Sequence, residues 1–291
     1  MVERITLATR KSPLALAQTD LVMAALRGRD PEVDVRRLLL TTTGDQRQAW
    51  SLQHKGGKGL FTKELEIALM DGRADVAVHS AKDLPTIMQP GLAIAGYLPR
   101  ESAADVLVKR KEIDRIEKLA TGSPRRRAQA KLFLPEVQDC EIRGNVETRL
   151  NAIRQGWADA TILAQAGLKR LGIRSWEGLE FELLGLNQMI PAVGQGAIAL
   201  QCREKEVERF REISHPETET AVSIEREFLC LVGGGCQSAF AAHFRDGALY
   251  AYHEKAGRFT LTFNSLDREF IRNAIRTTLE ARKGAVGANE E

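Results

Sequence analysis

Side chains able to bind anions, move protons or form a covalent bond gather at a few points of this 291-residue chain, most of them where a strand-like run meets a helix start. Thr9-Arg10-Lys11-Ser12 and Thr121-Gly122-Ser123-Pro124-Arg125-Arg126 place hydroxyl and cationic side chains at such junctions. There, unsatisfied backbone N–H groups and the positive end of a helix dipole favour an anion. Arg143-Gly144-Asn145 and Arg149 add guanidinium groups suited to bidentate carboxylate binding. A single arginine is more often a solvated surface charge, but recurrence beside Gly and Ser/Thr favours an anion site. Val76-Ala77-Val78-His79-Ser80-Ala81-Lys82-Asp83-Leu84-Pro85 reads as a buried strand that releases polar residues at its end, where α/β proteins place their chemistry. Two readings fit Asp83 equally: an acid/base or cation-stabilising carboxylate, or a residue capping the turn before Leu84-Pro85. His79 reads as packed. Gly233-Gly234-Gly235-Cys236 sets a thiol on a glycine loop after a helix, open to a large group. The alternative for Cys236 is a structural turn with an incidental thiol.

Two glycine motifs are set aside. In Lys55-Gly56-Gly57-Lys58-Gly59, glycine follows Lys58 where a phosphate loop needs Ser or Thr. The segment suits a mobile loop touching an anionic ligand, or equally a hairpin tip. Gly194-Gln195-Gly196-Ala197-Ile198-Ala199 fits a dinucleotide fingerprint but falls late in the chain, after Ile190-Pro191 and not after a first strand. A hinge, or a strand returning the chain to an earlier lobe, suits it better.

These residues need a frame. Arg4–Thr9 reads as a strand, followed by a helix from Leu14 to about Leu26 with Ser12 as N-cap, Pro13 at the first position and Gly28 near the stop. Ser123-Pro124 repeats the device 111 residues on, after strand-like runs at Val106–Val108 and up to Ala120-Thr121. Gly72-Arg73-Ala74-Asp75 and Gly156-Trp157-Ala158-Asp159 form a second pair, each read as a helix C′ glycine followed by a buried strand. Two related α/β lobes follow. Beyond His215-Pro216 the pattern changes to a helix around Ala221–Leu231 and three alternating runs, Phe240–Phe244, Leu249–His253 and Phe259–Phe263. Hairpin signals at Asp246-Gly247 and Ala256-Gly257 join them, and a helix from Asp267 to about Arg282 and a frayed tail follow.

Composition excludes several classes. With 42 Lys+Arg against 39 Asp+Glu, the net charge of +3 gives no uniform field for nucleic acid or membrane, and aromatics at 5% offer no stacking stripe. No run approaches a membrane span, and Met1-Val2-Glu3-Arg4 leads straight into a strand without a signal-peptide core, so a cytoplasmic protein is expected. Cys140, Cys202, Cys230 and Cys236 make no C-x-x-C pair and the five histidines are scattered, so neither a disulfide scaffold nor a protein-bound metal is expected.

Taken together, the motifs resemble the hydroxymethylbilane synthase (porphobilinogen deaminase) family, in order and over nearly the whole chain to about Ala242. They are Ala8-Thr9-Arg10-Lys11-Ser12-Pro13-Leu14-Ala15-Leu16, Gly56-Gly57-Lys58-Gly59-Leu60-Phe61, Val78–Pro85, Arg143-Gly144-Asn145-Val146, Ala166-Gly167-Leu168-Lys169-Arg170-Leu171, Pro191-Ala192-Val193-Gly194-Gln195-Gly196 and Gly234-Gly235-Cys236. The resemblance implies two type II periplasmic-binding-protein-like lobes, residues 1–97 with 195–212 and residues 98–194, plus a small α+β third domain at 215–291 with a three-stranded antiparallel sheet. It implies a dipyrromethane cofactor joined by a thioether to Cys236, and condensation of four porphobilinogen molecules with loss of ammonia. Asp83 would hold pyrrole N–H groups and stabilise the cation formed as ammonia leaves. Arg10, Ser12, Lys58, Ser80, Lys82, Thr121, Ser123, Arg125, Arg126, Arg143, Gly144, Asn145, Arg149, Arg170 and Gln195 would bind cofactor or substrate, with Arg10, Arg143 and Arg149 tied to elongation and Gln195 on the hinge side. A monomer that passes its product to a downstream tetrapyrrole enzyme is implied, with no metal, nucleic acid or membrane partner. The rival from another class is a two-lobed binding or sensor protein for a carboxylate ligand, which needs neither Asp83 nor Cys236.

Overall fold

The computed structural model describes residues 2–46, 61–233 and 239–287. In chain order the elements begin β1 (Arg4–Arg10), α1 (Pro13–Arg29), β2 (Asp34–Leu40), α2 (Thr43–Gln46), α3 (Lys63–Met70), β3 (Val76–Ser80) and β4 (Leu92–Tyr97). Then come β5 (Asp105–Arg110), β6 (Lys118–Ala120), α4 (Pro124–Ala130), β7 (Gln138–Cys140), α5 (Val146–Arg154), β8 (Ala160–Ala164), α6 (Gln165–Arg170) and β9 (Leu179–Leu183). The rest are β10 (Ile198–Arg203), α7 (Val207–Arg211), α8 (Pro216–Leu231), β11 (Phe240–Arg245), β12 (Ala248–His253), β13 (Gly257–Thr262) and α9 (Arg268–Gly287). The chain forms two compact units: Met1–Ser102, Ala166–Ile173 and Gly196–Glu219 in one, and Ala103–Gln165, Arg174–Gln195 and Thr220–Glu291 in the other.

Each unit holds a five-stranded mixed sheet, and the two sheets have one topology. The orders are β2-β1-β3-β10-β4 and β7-β6-β8-β5-β9. In both, three strands run parallel and the fourth position is antiparallel to both neighbours. That antiparallel strand is the one by which the chain enters from the other unit, β10 after β9 and β5 after β4. A three-stranded antiparallel sheet, β11-β12-β13, lies in the second unit. The fold class is therefore the one the resemblance implies, α/β with two like lobes and a small α+β addition.

Local chemistry explains the repeat. Ser12 and Ser123 cap α1 and α4, their Oγ atoms accepting from the Ala15 and Arg126 N–H groups at 3.3 and 3.4 Å. Gly72 and Gly156 follow α3 and α5 with φ of 69° and 82°, the left-handed cap that glycine adopts without strain. After each comes an aspartate with the same task. Asp75 accepts from the Thr6 N–H of β1 and pairs with Arg203 at the end of β10. Asp159 accepts from the Lys118 N–H of β6 and pairs with Arg110 at the end of β5.

Three expected boundaries shift. Helix α1 runs through Gly28 and stops at Asp30, since Pro31 supplies the break that Gly28 does not. Helix α8 begins at Pro216, where His215 Nδ1 accepts from the Thr218 N–H and Glu217 and Glu219 suit the first turn. Helix α9 continues past Arg282 to Gly287 in place of the frayed start of a tail, its buried Ile271, Ile275 and Leu279 anchoring it to the third sheet's core with Phe228 and Phe259. In the first unit the core is Ile5, Leu7, Val22, Leu26, Val76, Val78, Ile198, Leu200 and Phe210. Each such apolar side chain, fully buried, contributes about 1.5–3 kcal/mol.

Candidate functional site

In the first unit the polar residues meet at the C-terminal ends of β1 and β3, which pair in parallel. β1 ends at Arg10, whose guanidinium lies 4.4 Å from the centre of the Phe61 ring, a cation–π contact. β3 ends at Ser80, and one 3-10 turn, Ala81–Asp83, carries Lys82 and Asp83. Both side chains are exposed. The turn is anchored by the Ala81 N–H donating to Ala197 O at 3.0 Å. Gln18 of α1, buried, donates from Nε2 to Ser80 Oγ at 2.8 Å. His79 is buried and its Nε2 lies 2.9 Å from Gln201 Oε1. Burial, aided by the nearby charge of Arg10, pulls its pKa down to about 4, so the ring is neutral at pH 7.

Arg170 joins this end through the backbone. Its Nη2 donates to Gly196 O at 2.6 Å, beside the Ala197 that anchors Ala81. Half-burial lowers its pKa, opposed by the charge of Glu101. Gly196 has φ of 88°, and a Cβ there would lie 2.2 Å from Glu101 O, so this strand entry requires glycine.

In the second unit the set collects around Asp105, the fully buried first residue of β5. Its Oδ2 accepts from Arg125 Nη1 at 2.8 Å, and its Oδ1 accepts from Arg126 Nη2 at 2.7 Å and Nε at 3.1 Å. Gln195 Nε2 donates to the same Oδ1 at 3.1 Å and to Ala103 O at 2.6 Å. Burial alone would raise the Asp105 carboxyl, but two guanidinium groups outweigh it and hold it well below the usual carboxylate range. One carboxylate against two buried arginines leaves a net positive charge. Thr121 is buried and Ser123 half-buried beside them.

The Arg143-Gly144-Asn145 run reaches the same edge. The Arg143 guanidinium lies beside Gly122, 3.7 Å from where a Cβ there would stand, and pairs with Glu141. Gly144 has φ of 105°, Asn145 caps α5 by accepting from the Thr148 N–H at 2.8 Å, and Arg149 Nε donates to Gly144 O at 2.9 Å.

Arg10, Ser12, Ser80, Lys82, Asp83 and Arg170 thus belong to one unit, and Thr121, Ser123, Arg125, Arg126, Arg143, Gly144, Asn145, Arg149 and Gln195 to the other. Lys58 with its Gly-rich loop, and Cys236, lie outside the described residues. Sequence reasoning passed over Asp105 and Gln201, each a lone polar residue among apolar neighbours, and Gln18, the first of the polar run Gln18-Thr19-Asp20. Their only available signal was that a buried polar group must find a partner. Among the described residues no group of His, Cys, Asp and Glu is arranged to hold a metal ion, and no helix is long and apolar enough to cross a membrane.

The frame and the residues at its strand ends define a two-lobed α/β protein with a buried arginine cluster around one aspartate in one lobe and a carboxylate-bearing turn in the other. Comparison with known proteins makes this specific. The family model "Porphobilinogen deaminase, dipyromethane cofactor binding domain" matches residues 5–211, and the chain belongs to this family. The porphobilinogen deaminase of Sorangium cellulosum is 41% identical over 257 residues, 85% of this chain and 84% of that protein. That of Desulforudis audaxviator is 42% identical, covering 86% and 83%. Among solved structures, the periplasmic VFT2 domain of Bordetella pertussis BvgS is similar at 17% identity and a TM-score of 0.43, over 72% of this chain and 84% of that one, too distant to bear on function.

Proposed function

We propose that the chain is a hydroxymethylbilane synthase, a transferase that joins four porphobilinogen molecules head to tail with release of ammonia in tetrapyrrole biosynthesis. The observation that carries this is the family match over residues 5–211, which spans both the Asp83 turn and the Asp105–Arg125–Arg126 cluster. The cluster suits the ligand class. Porphobilinogen bears an acetate and a propionate, and two buried guanidinium groups sharing one carboxylate retain positive charge for them.

The same donor set fits a dipyrromethane. Cys236 would hold it by a thioether, with its carboxylates met by Arg125, Arg126, Thr121, Ser123 and Arg143, and when bound it supplies the primer on which the chain is built. The protein's own residues do the rest. Asp83, exposed on its turn, accepts pyrrole N–H groups and stabilises positive charge at the reacting ring. Lys58, Lys82, Arg10 and Arg170 neutralise substrate carboxylates, and Ser12 and Ser80 orient them by donating hydroxyl hydrogen bonds. Arg143 and Arg149, with Gly144 and Asn145 shaping their turn, take up charge as the product lengthens, and Gln195 steadies Asp105.

We assign three domains, 1–97 with 195–212, 98–194 and 215–291. A cytoplasmic monomer that hands its product to a downstream tetrapyrrole enzyme accords with this role. The test is a product assay on the purified chain: four ammonia released per hydroxymethylbilane formed. Porphobilinogen that binds but is not consumed would favour a carboxylate-binding protein instead.

A further inference from the structure

Beneath the Asp83 turn lies a polar network, wholly within the first unit, that the proposed reaction does not use. His79 and Gln201 are 4% and 0% exposed. In the β3–β10 ladder Ala77 opposes Gln201 and His79 opposes Ala199, so the two side chains are diagonal neighbours on one face. Gln201 Nε2 donates to Glu66 Oε1 of α3 at 3.2 Å and reaches Met88 Sδ, just beyond the turn, at 3.7 Å. An amide has two donors on its nitrogen and only acceptors on its oxygen. The Glu66 carboxylate accepts, so the NH2 group faces it, and the oxygen is left for His79 at 2.9 Å. His79 Nε2 must then carry the proton. One residue on, Gln18 holds Ser80, and two residues on, Ala197 holds the Ala81 N–H.

We propose that Gln201 is a positioning residue for the Asp83 turn: its amide, oriented by Glu66, holds His79 as the neutral Nε2-protonated ring and so fixes the strand end that Lys82 and Asp83 follow. The desolvated ring, kept neutral beside Arg10, accords with this. The inference rests on Asp83 being the catalytic carboxylate.

The test uses the full-length chain, long-range 1H–15N spectra of His79, identified by loss of its signals in His79→Asn, and steady-state kinetics. The parent protein should show the Nε2-protonated tautomer. Glu66→Lys replaces an acceptor by a donor, so the Gln201 amide should turn over and the tautomer should switch to Nδ1-protonated. Gln201→Met keeps the volume and removes both hydrogen bonds, and kcat should fall about tenfold with KM within about twofold, since small misplacements of a reacting group cost rate more than binding. An Nδ1-protonated ring in the parent, an unswitched ring in Glu66→Lys, or unchanged kcat in a folded Gln201→Met would overturn the proposal. Should Gln201→Met not fold, the Glu66→Lys spectrum decides. Full turnover in Asp83→Ala would instead defeat the catalytic reading while leaving the tautomer result standing, so the two failures are distinguishable.

Discussion

In the first unit the crossing strand β10 opens with Ile198, buried in the same apolar cluster as Leu7, Val78 and Phe210. In the second unit the crossing strand β5 opens with Asp105, buried against Arg125 and Arg126. The sheets share strand order, serine caps, helix-ending glycines and an aspartate–arginine pair at the opposite end. They differ at the strand ends, where open α/β sheets place their ligands. After β3 the chain carries Lys82 and Asp83; after β8, on the same 84-residue offset as the glycines, it carries Ala166 and Gly167. A duplicated frame thus gives one lobe a buried neutral polar network beneath an exposed carboxylate, and the other buried guanidinium charge. The repeated parts build the frame, and the buried and exposed charges that set the lobes apart sit at its strand ends.

The sharpest way to break this contrast is Asp83→Ala. Turnover should fall by about 100- to 10,000-fold while porphobilinogen binding, measured by calorimetry, stays near that of the parent. A change in binding alone would make Asp83 a residue that holds the substrate's N–H groups and not one that turnover depends on. In the second unit, Asp105→Ala leaves two buried guanidinium groups without their counter-ion and should destabilise by about 3–5 kcal/mol. Urea unfolding reads this, and a loss under 1 kcal/mol would show that the cluster is not a buried ion network.

His79 gives the first unit a pH signature. Its folded pKa of about 4 lies below the ordinary 6.5, so the unfolded chain takes up a proton first as pH falls. Its contribution is fully present above about pH 6.5 and is lost towards pH 4, amounting to about 3 kcal/mol. Against that, His79→Gln should lack this part of the acid sensitivity in thermal unfolding at stepped pH.

Arg143→Ala and Arg149→Ala should each lower turnover about 10- to 100-fold, from one lost charged hydrogen bond, and leave partly extended chains on the enzyme in native mass spectra. Unextended enzyme with normal product would contradict that role. The smallest effects test the likeness itself: Ser12→Ala and Ser123→Ala each remove a helix cap and should cost about 1 kcal/mol, equal within error in both lobes.

Much of this frame is legible in the sequence because its signals are local. Ser-Pro pairs start helices, and Gly72 and Gly156 end them with the positive φ that glycine tolerates. β2, β4, β7 and β9, the sheets' edge strands, are missing from the expectations for different reasons: Gln138–Cys140 is only 3 residues long, and Asp34–Leu40 and Leu92–Tyr97 show no alternation, whereas Leu179–Leu183 alternates apolar and acidic residues and is legible. The candidate site is legible as motifs, yet the partners of those motifs are not. Asp105 lies 20 and 21 residues from Arg125 and Arg126, and Gln195 some 90 residues from Asp105, so only the sheet brings them together. Gln18 and Gln201 are likewise found only when Ser80 and His79 are asked where their hydrogen bonds go.

The most direct test of the account is intact-protein mass spectrometry of the denatured recombinant chain, with a peptide map around Cys236. The account predicts a mass excess of two linked pyrrole units confined to the Cys236 peptide. A bare chain that acquires no adduct after incubation with porphobilinogen or hydroxymethylbilane would contradict it and leave a two-lobed carboxylate-binding protein.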